Sequence, residues 1–273
     1  MTGQRSTSGL RTPAEEESAA APVYVYGVVM AAAAAGGPLP RGVAGGESPV
    51  RLAARDDLAV VLGDVPPGWR AATRADVEGH EAVLSALVGR HTVVPMRFGM
   101  VMPSEAHAVD ALLVRHGDEL RTLLARLDGH VQVSVKAYYA EDGLLRQVLA
   151  EHPDIKRRSD ALRGTPVEVS QGARIALGQD VAVLVERQRR RDEQTLAEPL
   201  AAPAADIRLE ACTSPRMALN AQVLVARDLR SELDAAVDGL GAAHGDRFAF
   251  RYVGPVAPYS FADLSLDPEA PWA

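Results

Sequence analysis

From residue 131 onward, the order of elements constrains the fold more than any other feature of this chain. Val131, Val133, Val135 and Ala137 alternate with polar residues, the period-two pattern of a half-buried strand. Helical segments fill much of 142–200, interrupted near Pro153 and Pro166, where the missing amide proton breaks the ladder. Ala201–Ala205 reads as a linker. Strands follow at Ile207–Cys212 and Leu219–Ala226. A helix over 228–243 carries Leu229, Leu233, Val237 and Leu240 on one face, and Phe248–Val253 is the last strand. The order β, long α, β, β, α, β is that of a ferredoxin-like split βαβ unit with its first helix much enlarged.

The residues before it form a separate mixed α/β unit, with the boundary near Gly129. Val23–Met30 is β-branched and aromatic and reads as a strand. Gly, Pro and Ala make 31–48 a long loop. Val50–Ala54 and Leu58–Val65, joined across Asp56-Asp57, suggest a hairpin. Val77, Glu81, Leu84, Leu87, Val88 and His91 fall at helical spacing over 74–91, and Val93–Phe98 is a short strand. Ser104 can cap a helix whose leucine stripe runs to Leu127, with a break at Gly117 and an end at Gly129. The expected class is therefore α+β in two domains: a disordered tail at 1–21, domains at 22–129 and 130–253, and a C-terminal strap and tail at 254–273. The tail at 1–21 lacks the apolar content to offset the entropy of ordering.

Composition narrows the function. The 273 residues are 47% hydrophobic, enough to bury a sizeable core in each domain. A net charge of -7 argues against nucleic acid as a partner, since phosphate binding needs a basic footprint. No apolar run is long enough to span a bilayer, and Glu15, Glu16 and Glu17 stand where a signal peptide needs an apolar core. These observations predict a soluble, cytoplasmic protein without a membrane partner. Cys212 is the single cysteine, so no intramolecular disulfide forms, and it reads as a small buried hydrophobe.

Catalytic and metal motifs fail on spacing. His80-Glu81 starts like a zinc-protease helix, but the fourth residue on is Leu84. His107 and His116 are also wrongly spaced for ligation from one helix face. Gly239-Leu-Gly241 ends a predicted helix instead of opening one. No cofactor or metal site is read from the chain, and no phosphate-binding loop or nucleophile elbow is present. The charge-dense Glu186–Glu193 reads as a solvated helix face.

Two features stand out from a bland core. Arg97 lies in the apolar Val94-Pro-Met-Arg-Phe-Gly99. If half buried it needs a carboxylate, with Glu81 as the natural partner and Glu78 the alternative; breaking such a pair costs roughly 3–5 kcal/mol. Gly254-Pro-Val-Ala-Pro-Tyr-Ser-Phe261 is stiffened by two prolines and displays Tyr259 and Phe261. Alternation would put both rings on one side of an extended strap. The strap is either an internal staple, the favoured reading, or a lid over a partner surface, with 265–273 looser beyond it.

These pieces together resemble the GvpF/GvpL family of gas-vesicle proteins. The resemblance runs through Tyr24-Val-Tyr-Gly27, His80-Glu-Ala-Val-Leu84, Val94-Pro-Met-Arg-Phe-Gly99, Val135-Lys-Ala-Tyr138, Met217-Ala-Leu-Asn-Ala221 with Leu224-Val225, and Gly254-Pro with Pro258-Tyr-Ser-Phe261. It departs at Val256 and Ala257, where the family usually carries tryptophan and proline. The resemblance implies two α+β domains, the second a modified ferredoxin-like unit. It also implies a non-catalytic accessory role in assembling the gas vesicle. The expected partners are the hydrophobic main shell protein and other gas vesicle accessory proteins, and the location is the gas vesicle within the cytoplasm. The competing expectation is a small-molecule enzyme or sensor built on the ferredoxin-like half.

Overall fold

A computed structural model describes residues 21–43, 49–66, 68–71 and 73–264. The expectations for the tail at 1–20 and for 265–273 lie outside the described residues. The chain divides into two compact units: the described part of Met1–Asp128 with the short segment after Phe261, and Gly129–Phe261. Each is α+β and built on an antiparallel sheet.

In the first unit the sheet runs β2-β3-β1-β4, with β5 paired to the start of β1. Strand β1 (Val23–Met30) is central and buried along nearly its whole length, which explains its unbroken apolar run. Strands β2 (Arg51–Arg55) and β3 (Leu58–Asp64) form the expected hairpin. Its two-residue turn places Asp56 at φ 53°, a conformation aspartate tolerates better than most residues. Helix α1 (Arg74–Val88) starts with a reciprocal cap: the Thr73 hydroxyl accepts from the Asp76 amide, and the Asp76 carboxylate accepts from the Thr73 amide.

Three expectations in this unit need correction. The buried face of α1 is Asp76, His80, Val83, Leu84, Leu87 and Val88, so Val77 and Glu81 point outward. Strand β4 (Val93–Pro95) ends before Arg97, which lies in an exposed turn leading to β5 (Val101–Met102). The segment 31–48 is not all loop, because Ala31–Gly36 forms a 3-10 helix. The leucine-rich stretch divides into α2 (Glu105–Ala108), a π-helical turn over Val109–Val114, and α3 (Gly117–Leu127). Ser104 caps α2 by accepting from the His107 amide.

The second unit has sheet order β7-β8-β6-β9. Strand β6 (His130–Tyr139) buries Val131, Val133, Val135 and Ala137 toward the helices. Helices α4 (Gly143–Glu151) and α5 (Pro153–Leu162) break at the expected prolines, and α6 (Val167–Ala201) continues for 35 residues. The expected linker does not exist: α6 runs through Ala201 and β7 (Ala204–Leu209) starts three residues later. Strand β8 (Met217–Ala226) is buried on both faces, and α7 (Arg230–His244) packs against it. Strand β9 (Phe248–Val256) extends past the expected end at Val253. It lies at the edge of the sheet, where a proline such as Pro255 withholds no ladder bond from a neighbour.

Candidate functional site

The motif residues of the first unit meet in one place. Tyr24 and Tyr26, two residues apart on β1, point to the same side and are both buried. His80 reaches them from α1 and is fully buried. The Tyr24 hydroxyl lies 2.9 Å from His80 Nδ1 and accepts the Gly99 amide at 2.9 Å. With the amide donating to it, the hydroxyl keeps its own proton to offer to Nδ1 in the tautomer that carries the imidazole proton on Nε2. The Tyr26 hydroxyl accepts the Val43 amide at 3.0 Å. Burial pushes the His80 pKa down to about 4, and burial also raises both tyrosines. The imidazole is therefore neutral at physiological pH and serves as a hydrogen-bonded core group.

Two glycines make this approach possible. A Cβ at Gly27 would stand 2.7 Å from the Val94 carbonyl oxygen, so only glycine lets β4 lie against β1 at that point. Gly99 sits at φ +95°, which aims its amide at Tyr24.

Around the buried pair stands an aromatic rim. The Trp69 ring packs edge-on to Tyr24 at 5.6 Å, and Phe98 packs edge-on to His80 at 5.6 Å. Trp69 is half-buried and Phe98 is 38% exposed, so the outer ring faces are open. Arg97 and Glu81 are both exposed, which removes the desolvation argument for pairing them. Glu78, the alternative partner, pairs with Arg74 at 2.7 Å.

The second unit holds its polar groups differently. Asp192, from the charge-dense block of α6, is buried and accepts from the Tyr139 hydroxyl at 3.0 Å, Gln188 at 2.9 Å and Arg247 at 2.8 Å. Arg189 donates to the carbonyls of Pro215 at 2.6 Å and Met217 at 2.8 Å. The block is thus not simply a solvated face. Its i, i+4 line through Gln188, Asp192, Leu196 and Leu200 turns inward, and Glu186 and Arg190 pair on the outside. Cys212 also departs from expectation. It is half-buried on the wall of an open cleft lined by Arg189, Glu193 and Ser214, and burial raises its thiol pKa.

The strap docks, but not as an extended segment. Tyr259–Phe261 is a 3-10 turn, whose three-residue repeat sends residues two apart to different sides. Phe261 is fully buried beneath the Arg208 guanidinium, 5.2 Å from the ring centre, while Tyr259 is half-buried. Between them, the Ser260 amide donates to Gln132 Oε1 at 3.0 Å and its hydroxyl donates to Glu210 at 3.0 Å. Gln132 donates in turn to Gln222 at 3.0 Å. Ala257 is buried and Val256 half-buried.

Sequence reasoning missed Trp69 and Asp192. The first followed a proline-proline-glycine stop with no periodicity to place it. The second was hidden in a charged run, although its spacing to Leu196 and Leu200 was a usable signal.

Among the described residues, no helix is long and apolar enough to cross a membrane, and no three His, Cys, Asp or Glu side chains are grouped to hold a metal ion. What the geometry defines is an α+β scaffold with two antiparallel sheets, whose motif residues build cores and close contacts. The chain belongs to the gas vesicle synthesis protein GvpL/GvpF family, which it matches over residues 22–263. It is 31% identical to gas vesicle protein F of a Streptomyces species over 240 residues, 88% of this chain and 99% of that protein. Gas vesicle protein F of Dolichospermum flosaquae is 25% identical over 220 residues, covering 80% and 89% of the two chains. The fold matches the crystal structure of gas vesicle protein GvpF from an Anabaena species with a TM-score of 0.77 at 24% identity, over 90% of this chain and all of that one (100%).

Proposed function

We propose that this protein is a non-catalytic accessory factor of gas vesicle assembly that binds the hydrophobic main shell protein and works with other gas vesicle accessory proteins. Its place would be the cytoplasm and the gas vesicle. A shell subunit with a large apolar face aggregates unless a partner covers or aligns it before assembly. The observation that carries the reading is the aromatic rim of the first unit, together with membership of the family. Trp69 and Phe98 present open ring faces over a rigid base of Tyr24 and His80. Aromatic anchors on a fixed support are the residues expected to dominate a protein interface.

We read the second unit as a modified ferredoxin-like domain. The support is its order of elements and the spatial order β7-β8-β6-β9, in which the first and third strands of the unit lie at the centre. The enzyme or sensor alternative has little to build on in the cleft beside Cys212. The Arg189 guanidinium there is occupied by backbone carbonyls, and the thiol is shifted away from its reactive form.

Co-purification from vesicle-producing cells tests the proposal. The full chain should capture the main shell protein, and Phe98→Glu should reduce that capture under conditions where circular dichroism shows the variant still folded. Failure of the unaltered chain to capture shell protein overturns the function. Undiminished capture by Phe98→Glu overturns only the placement at the rim.

A further inference from the structure

Helix α6 carries an apolar face that nothing in its own unit covers. Its buried residues, Ser170, Gln188, Asp192, Leu196 and Leu200, fix the inward side. At about 100° per residue, Val169, Gly172, Ile175, Ala176 and Val183 lie on the opposite half of the helix. Val169, Ile175 and Val183 are 81%, 56% and 51% exposed. Those three residues alone present on the order of 300 Å² of surface, within the range at which an exposed apolar patch marks an interaction site.

Charge is almost absent from this face. Between Val167 and Val183 the charged residues are Glu168, Arg174 and Asp180. Arg174 donates to the carbonyls of Leu162 at 2.6 Å and Thr165 at 3.2 Å, and Asp180 pairs with Arg158 at 2.7 Å. Glu168 stands in the first turn, at the edge of the patch. From Val169 to Val183 the outer face therefore offers nothing to repel an identical face.

The spacing is also self-complementary. Val169, Gly172, Ala176, Gln179 and Val183 recur in alternating three- and four-residue steps, which keeps them on one seam. That seam is symmetric about Ala176, with a valine seven residues to either side. We propose that this face of α6 is covered in solution by the same face of a second copy, with the two helices antiparallel about Ala176. Each Val169 then meets Val183 of the other copy, and the small residues at the centre permit close approach. Two such faces together remove on the order of 600 Å² of valine and isoleucine surface from water, with Gly172, Ala176 and Gln179 adding to it, which is below a standard interface, so the dimer is weak. Its dissociation constant should be on the order of tens of micromolar.

Sedimentation equilibrium on the full chain tests this. The mass should rise from monomer toward dimer between about 1 and 200 µM, a range that brackets that affinity. Val169→Glu and Val183→Glu should each hold the chain monomeric, with unchanged circular dichroism and melting temperature, because both sites are exposed. In a Cys212→Ser background, Ala176→Cys should form a disulfide-linked dimer on mild oxidation. Gln171→Cys, on another side of the helix, should not. The proposal is overturned by a monomer at every concentration, by a dimer that survives Val169→Glu, or by equal cross-linking from residues 171 and 176. A monomer that loses shell-protein capture on Val169→Glu would assign the face to that partner instead.

Discussion

In the first unit the deeply buried polar side chain, His80, sits among Tyr24, Tyr26 and Phe98 and has given up its charge to do so. In the second, Asp192 sits among Tyr139, Gln188 and Arg247 and faces a guanidinium 2.8 Å away. Both arrangements solve the same problem, since an uncompensated charge in a protein interior costs several kcal/mol. The neutral solution ties the first unit to pH. The paired solution ties the second to a specific partner side chain. The two units should consequently fail under different insults, and a reporter for each makes that testable. The chain has two tryptophans, Trp69 and Trp272. In a Trp272→Phe background, Trp69 fluorescence follows the first unit through its contact with Tyr24.

The largest effect should come from Asp192→Ala. It removes the acceptor of three hydrogen bonds and leaves Arg247 partly buried without its carboxylate. The expected loss is about 3 kcal/mol, at the low end for a broken buried pair because the Arg247 side chain keeps a third of its exposure. Urea unfolding followed by circular dichroism should show an earlier transition, while the Trp69 transition stays in place. Equal shifts in both signals would mean that the units do not unfold separately.

Acidification should do the reverse. His80 titrates near 4 when folded against about 6.5 when unfolded, so between those values the unfolded chain binds more protons. Stability from this group is fully present above about pH 6.5 and falls as pH drops toward 4. Between pH 7.5 and 5 the loss should be about 2 kcal/mol, seen in the Trp69 transition. His80→Gln should flatten that dependence. A slope that persists in the variant would assign the sensitivity to another group.

Tyr24→Phe should have a smaller effect on the same unit. It leaves the Gly99 amide and His80 Nδ1 each short of one hydrogen bond, at a cost of about 1–2 kcal/mol. The loss should appear in Trp69 fluorescence and leave the second unit unchanged. A neutral result would show that water replaces the hydroxyl, and hence that the cluster is open from outside.

How much of this was legible in the chain differs between the units for physical reasons. The hairpin across Asp56-Asp57, the prolines that divide α4 to α6, and the alternation of β6 are local, and each was readable. The inward face of α1 was not. Val77 and Glu81 fit a helical period as well as Asp76 and His80 do, and only the closure of His80 on Tyr24 sets the phase. Asp192 looked solvated because a carboxylate in a charged run normally is, and its burial depends on Tyr139 and Arg247, 53 and 55 residues away. The strap shows the same limit. Its prolines announced an ordered segment, but the 3-10 turn that separates Tyr259 from Phe261 follows from Ser260 bonding to Gln132, 128 residues away.

The smallest expected effect concerns Arg97 and Glu81. A buried arginine in a strand would have made this pair the costliest contact in the first unit to break. Arg97 instead follows the end of β4, and Glu81 lies on the outer side of α1. Two long exposed side chains gain little from proximity, because water screens the attraction and ordering them costs side-chain entropy. Arg97→Ala should therefore change stability by no more than about 0.5 kcal/mol, with similar coupling to Glu81→Ala in a double-mutant cycle. The measurement is the Trp69 transition in urea for the unaltered chain, both single variants and the double variant. A coupling of 2 kcal/mol or more, roughly the value of a desolvated pair, would mean that the rim around Phe98 closes in solution and shields the two charges. The same variants then separate stability from recognition. If Arg97→Ala leaves the fold intact but weakens capture of shell protein, the exposed guanidinium acts beside Phe98 at the interface; if it changes neither, the rim works through its aromatic faces alone.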